Sequence, residues 1–350
     1  MISAAQIARN VAALGFGNSR VAPIDSAMND EVIDELRTQR VEGVAVSGVL
    51  DGSIEADAEF VERIIQRHDE TMAQTLRVEI AAVRASEILA AAGISHRLLK
   101  GASLAHTIAR NPSERSFRDV DVLVRGDSID GAIDLFESKG AVRLHRQLRP
   151  GFDARFGKSV TMLLDDIEVD VHRLLCPGPF GVRMRPNELF FIDSTFELAG
   201  EQIPTLDPTD HLVHACYHAA LGSAEPALVN LRDIALLAHG PFDEERFEDT
   251  IDRWRARAVI QRAVRLVERT ISVELPEVLG RYRYTQVDKT ERGWIDLYTV
   301  DDPRGRFAAL APATFHALRP IDRPAFARAV GFPDGVPPAT RVRSILYRRK

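Results

Sequence analysis

Asp119 and Asp121 sit two residues apart in the run Arg118-Asp119-Val120-Asp121-Val122-Leu123-Val124. Its β-branched residues and period of two read as a strand, so both carboxylates project from one face. A third carboxylate, Asp170, lies in the run from Ile167 to Leu174, where Ile167, Val169 and Val171 alternate with Glu168, Asp170 and His172. On a neighbouring strand it would complete a set of hard oxygen ligands suited to magnesium or manganese. Two such ions can stabilise both the attacking and the leaving oxygens of a phosphoryl transfer. That chemistry needs contacts to a triphosphate, and Lys100-Gly101-Ala102-Ser103 offers them. The segment supplies a cation, a glycine that lets the backbone come close, a hydroxyl and the positive end of a helix.

Other polar residues surround this set. Arg115 and Arg118 can neutralise triphosphate charge, orient the aspartates, or pair with acids. His172 shares the strand face of Asp170 and can touch substrate, a neighbouring water or a structural partner. His211, His214 and His218 fall on one helical face at a spacing that could bind zinc. The stretch His214-Ala215-Cys216-Tyr217-His218 lacks the glutamate that a zinc protease of that spacing uses as a base. Packing against the catalytic unit, or lining its cleft, is the simpler role for these histidines. Asp233 follows Arg232 in a helical pattern and reads as a structural ion-pair partner.

Taken in order, Gly101-Ala102-Ser103, Asp119-Val120-Asp121 and Asp170 resemble the Gly-x-Ser, Asp-x-Asp, Asp succession of DNA polymerase beta-like nucleotidyltransferases. More narrowly, three segments resemble the bacterial family described as uncharacterised nucleotidyltransferases. They are Leu99-Lys100-Gly101, the stretch from Arg115 through Arg118 to Val124, and Val169-Asp170-Val171-His172. The resemblance covers roughly residues 75 to 240. It implies a small mixed sheet flanked by helices, Gly101 and Ser103 on the nucleotide phosphates, and Asp119, Asp121 and Asp170 on metal. The expected reaction transfers a nucleoside monophosphate from a triphosphate to an acceptor, with release of pyrophosphate. A protein, a peptide, a small molecule or an RNA end could serve as acceptor. The sequence departs from the wider superfamily in having Gly101-Ala102 where two glycines often precede the serine. A catalytically silent nucleotide-binding module of the same fold is the alternative function.

The elements that must position these residues follow from the surrounding pattern. Helical periodicity from Arg77 to Ala92 ends at Gly93, and a strand of residues Ile94 to Leu99 leads into the Lys100-Gly101 turn and a helix through Arg110. A helix capped by Asp127 or Ser128 follows the Asp-x-Asp strand and stops at Lys139-Gly140. Strands at Ser159 to Leu164 and Ile167 to Leu174 are joined by a hairpin through Asp165-Asp166. Asp207 and Pro208 start a helix, with further helices at Leu228 to His239 and Phe247 to Thr270. The expected fold class is α+β, with a helical segment over residues 1 to 75, a catalytic domain over 76 to 200 and a helical domain over 201 to 350. Residues 1 to 75 read as short polar helices without chemistry, and 303 to 338 as a proline-containing end of unspecified structure.

Composition limits the alternatives. The 350 residues are 45% hydrophobic and 27% charged, as in an ordinary globular protein. No apolar run approaches the roughly 20 residues of a membrane span, and Arg9 interrupts the apolar start, so a cytoplasmic location is expected. Two cysteines, Cys176 and Cys216, are too few for a disulfide framework or a cysteine-built zinc site. A net charge of −6 disfavours long nucleic acid as a partner. Arg341, Arg343, Arg348, Arg349 and Lys350 form a basic cluster that reads as a solvated terminus.

Overall fold

The computed structural model describes residues 2–17, 20–300 and 302–334, and the basic cluster from Arg341 to Lys350 lies outside them. The protein is α+β, as expected, and is built on one seven-stranded mixed sheet. Its strands are β1 (His96–Leu98), β2 (Val120–Val124), β3 (Val142–Arg143), β4 (Ser159–Leu164), β5 (Ile167–His172), β6 (Ser194–Leu198) and β7 (Glu201–Thr205). Their spatial order is β3-β4-β5-β2-β1-β7-β6, with β2 parallel to β5 and β1 parallel to β7.

The alternation of β2 and β5 decides what each face of the sheet does. Val120, Val122 and Val124, with Val169 and Val171, enter one buried cluster. The same cluster takes Val78, Ala81, Ala82, Ala85 and Leu89 from the long helix Ala58–Ala91, and Ile129, Ala132, Ile133 and Phe136 from helix Ile129–Ser138. With the valines committed there, Asp121, Leu123, Asp170 and His172 must leave the opposite face. Leu123 joins a second, larger core made with the N-terminal helices and the helices beyond residue 207. The polar neighbours of Leu123 therefore sit where the sheet meets helical cover.

The hairpin between β4 and β5 turns at Asp165 and Asp166, both left-handed with φ of 51° and 63°. That is the two-residue turn whose twist suits a hairpin. Helix Pro208–Gly222 begins as the sequence indicates, with the Asp207 side chain accepting from Thr209 N–H and proline at the first position. The long pattern expected over Phe247 to Thr270 is instead two helices, Glu244–Trp254 and Arg257–Thr270, broken where Arg255 takes φ 51°. The proline-containing end forms helices Pro303–Ala317 and Arg323–Gly331.

The N-terminal segment differs from its reading as short polar helices. Helices Ala4–Ala12, Asn29–Thr38 and Glu42–Leu50 each bury an apolar face, including Ile7, Val11, Val32, Leu36 and Val44. The next helix, Ala58–Ala91, runs unbroken through residue 75 and carries the chain onto the sheet. Gly43 shows how close the docking is, because a Cβ built there would lie 2.2 Å from the Ser113 carbonyl oxygen and 2.7 Å from Glu114 Cα. Gly43→Ala is therefore expected to lose about 1–3 kcal/mol to overpacking, despite the roughly 1 kcal/mol that alanine gains inside a helix. A lowered urea midpoint checks this; an unchanged or raised midpoint would mean that the segment is a loose appendage.

A buried ion pair ties the loop that carries Arg115 to helix Leu228–His239. Arg115 Nε and Nη2 donate to the two Asp233 oxygens at 2.9 and 2.8 Å, and Nη1 donates to the Gly101 carbonyl at 3.0 Å. Removing one charge would leave the other buried alone. Asp233→Asn should cost about 3–5 kcal/mol in chemical unfolding, and Arg115→Met with Asp233→Leu clearly less. Equal losses in both proteins would show that the charges themselves are immaterial.

Candidate active site

Three backbone features converge on the polar sheet face. β2 and β5 run parallel with Asp121 opposite Asp170, and Leu123 opposite His172. β1 lies on the other side of β2, and the chain leaving it passes through Lys100 into the turn at Gly101. Gly101 has φ 62° and ψ −125°, a conformation that side-chain-bearing residues rarely adopt. A Cβ there would meet nothing closer than the Phe117 ring at 3.6 Å, so the backbone conformation, not crowding, requires glycine.

Asp121 is the most enclosed of the carboxylates, with a side chain only 2% exposed. Its Oδ1 lies 2.8 Å from His172 Nε2, and its Oδ2 lies 2.9 Å from Lys100 Nζ in an ion pair without well-aligned hydrogen-bond geometry. Burial pushes the Asp121 carboxyl up, but the Lys100 ammonium and the His172 hydrogen bond outweigh it and hold the group well below the usual carboxylate range. Burial would likewise lower the Lys100 ammonium, and Asp121 and Asp119 outweigh it and raise it. The two groups stay charged because each supplies what the other lost on leaving water.

Asp119 lies just before β2, partly exposed, 3.8 Å from Lys100 Nζ. Burial, and next the charge of Asp121, push its carboxyl up. Asp170 accepts from Thr161 Oγ1 at 2.5 Å and lies 3.9 Å from His172 Nε2. Ligand atoms of Asp121, Asp170 and His172 all lie within 4.8 Å of one another. His172 Nδ1 faces the Leu174 carbonyl at 3.2 Å and so carries a proton. Nε2 then either donates to Asp121 or turns its lone pair to a cation shared with the carboxylates. Two carboxylates and an imidazole at this spacing are a donor set that fits a divalent ion. Asp119 joins the group through Lys100 instead of directly.

The remaining expected residues divide. Arg118 is exposed and makes no hydrogen bond or ion pair among the described residues, which leaves it available to an anion. Arg115 is occupied by Asp233 and Gly101. Ser103 is fully buried, its hydroxyl 2.5 Å from Thr205 Oγ1 and 2.9 Å from His211 Nε2, so in this state it closes the joint between helix Ala102–Thr107 and β7. His211 belongs to that joint. The rings of His214 and His218 lie 6.2 Å apart, tilted at 53°, and their side chains make no hydrogen bond among the described residues. Burial above all lowers both imidazoles well below their ordinary value, and Lys100 adds to this. The metal-capable group among the described residues is the one on the sheet, and the three helix histidines do not form one.

Three contributors escaped the sequence reading. Arg40, half-buried at the end of helix Asn29–Thr38 with φ 57°, feels Asp119, Arg118 and Arg115. Lys158, next to β4, acts on Asp121, and Thr161 holds Asp170. Arg40 had no signal, because only tertiary docking brings it to the site; Thr161 could have been found from β4–β5 register, which pairs it with Asp170.

A crystal structure of an antigenic nucleotidyltransferase-like protein from Paracoccidioides brasiliensis is similar at 14% identity and a TM-score of 0.34, over 58% of this chain and 93% of that one. No curated protein matches the chain. The family described as "Uncharacterised nucleotidyltransferase" matches over residues 25–272, which takes in helices Asn29–Thr38, Glu42–Leu50 and Ala58–Ala91, the whole sheet and the helices from Pro208 to Thr270. By that match over most of its length, and in keeping with the carboxylates on β2 and β5, the chain belongs to the uncharacterised nucleotidyltransferase family.

Proposed function

We propose that the protein is a metal-dependent transferase that moves a nucleoside monophosphate from a nucleoside triphosphate to an acceptor hydroxyl or phosphate. The observation that carries this reading is the convergence of Asp121, Asp170 and His172 on the sheet face, with Asp119 and Lys100 beside them. Magnesium or manganese held by Asp121, Asp170 and His172, with Asp119, would supply neutralisation of the charge that develops on the phosphate oxygens.

The chain's own groups then take separate parts. Arg118 and Arg40, whose guanidiniums make no hydrogen bond or ion pair among the described residues, present their forks to the triphosphate at the open end of the site. Lys100 holds Asp121 charged and offers its ammonium to the transferred phosphate. The Gly101 turn, braced by Arg115, fixes the direction in which Lys100 leaves β1. Asp170 faces the incoming acceptor and accepts its proton, with Thr161 fixing the carboxylate's orientation. His214 and His218, held neutral, line the helical wall without adding positive charge.

Calorimetric titration of the four ribonucleoside triphosphates with magnesium tests this. The wild type should bind at least one of them, and Asp119→Ala with Asp121→Ala should weaken that binding at least tenfold; Asp170→Asn should spare nucleotide binding more than turnover measured as pyrophosphate release. Magnesium-independent binding that survives the double substitution would support a silent nucleotide-binding module. Absence of binding in every protein would sink the reading.

A further inference from the structure

Helix Arg257–Thr270 turns an apolar face to the core through Val259, Ile260, Ala263, Val264 and Val267. Arg262, Arg265 and Arg269 fall at i, i+3 and i+7, on a common face away from that core. There they line a cavity of about 680 Å³ to which helix Ala4–Ala12 adds Arg9 and helix Lys289–Leu297 adds Arg292. Five arginines from three helices thus surround one concavity in a chain whose net charge is −6. Glu35, Glu225 and Asp296 also line it, and Glu35 is engaged by Gln39.

The arginines are held in two ways. Arg262 donates to the Ser223 and Ala224 carbonyls, and Arg265 to the Arg283 carbonyl. Backbone oxygens satisfy donors without cancelling charge, so both guanidiniums stay positive where they are fixed. The guanidiniums of Arg9, Arg269 and Arg292 make no hydrogen bond or ion pair among the described residues. Five guanidiniums against three carboxylates leave the lining with an excess of positive charge, which in a concavity raises the potential and attracts an anion. Arginine forks match phosphate oxygens in geometry. Leu228, Leu266 and Ile295 add apolar surface, and the volume is that of an organic-ligand site.

We propose that this cavity is a second ligand site that takes an organic phosphate, its phosphate on Arg9, Arg269 and Arg292 and its apolar body on Leu228, Leu266 and Ile295. None of Lys100, Asp119, Asp121, Asp170 or His172 lines it, so the site stands independently of the proposed transfer chemistry.

Calorimetry with inorganic pyrophosphate and with AMP, in EDTA so that metal-dependent nucleotide binding is silent, tests the assignment. Wild type should bind both, and Arg9→Ser with Arg269→Ser and Arg292→Ser should weaken both at least tenfold; the three guanidiniums make no hydrogen bond or ion pair among the described residues, so the thermal midpoint should hold. Arg269→Ser alone should give an intermediate loss. Arg40→Ser with Arg118→Ser should leave the binding unchanged. Failure of both probes to bind, survival of binding in the triple variant, or its loss only in the Arg40, Arg118 variant would overturn the proposal.

Discussion

Burying the Asp121 carboxylate is the constraint around which the rest of the structure is arranged. An ionised carboxylate that is 2% exposed is sustained only by nearby positive charge and hydrogen bonds. Lys100 and His172 supply these, and they come from chain segments on opposite sides of β2. The strand order β5-β2-β1 is therefore an electrostatic requirement as well as a topological one. Parallel pairing of β2 with β5 sets Asp121 opposite Asp170, and the opposite face of the same strands spends its valines on the core. Burial of one face and charge on the other are two results of a single alternation.

The helical parts complete that arrangement from outside the sheet. Arg115, clamped by Asp233, reaches the Gly101 carbonyl and so couples helix Leu228–His239 to the turn from which Lys100 departs. On the other side, the docked N-terminal helices bring Arg40 toward Asp119. Ser103, Thr205 and His211 form a buried polar joint that satisfies the hydroxyls between the sheet and helix Pro208–Gly222. Each connection uses an internal polar contact where an apolar one would also have packed; the gain is a fixed direction for the side chains that face the site.

The sequence made some of this legible, for reasons that can be stated residue by residue. Alternation in β2 and β5 is regular and apolar on one side, so the pattern alone assigns faces to Asp119, Asp121, Asp170 and His172. The same logic missed β6 and β7, where the turn is Ala199-Gly200 and Ala199 takes a left-handed φ of 53° that alanine does not advertise. Arg255 likewise breaks a helix with no glycine or proline to mark it. Ser103 shows a different limit. A hydroxyl beside a glycine turn reads as a phosphate ligand, yet pairing of β1 with β7 gives it Thr205 as a neighbour. Arg40 depends wholly on how distant helices pack, which local pattern does not encode.

Pairing of β1 with β7 also has a consequence for how the protein is made. The Thr205 hydroxyl that reaches the Leu98 carbonyl lies 107 residues further along the chain. At about 5–20 residues per second, a ribosome needs roughly 5–20 s to deliver it after β1 has been synthesised. Through that interval β1 can pair with β2, while its other edge offers free backbone donors and acceptors to any strand nearby. The nascent chain thus carries a sheet whose β1 edge stays open until β7 closes it. Variants that delay or weaken that last strand would be lost to misassociation during synthesis even where the finished protein could tolerate them.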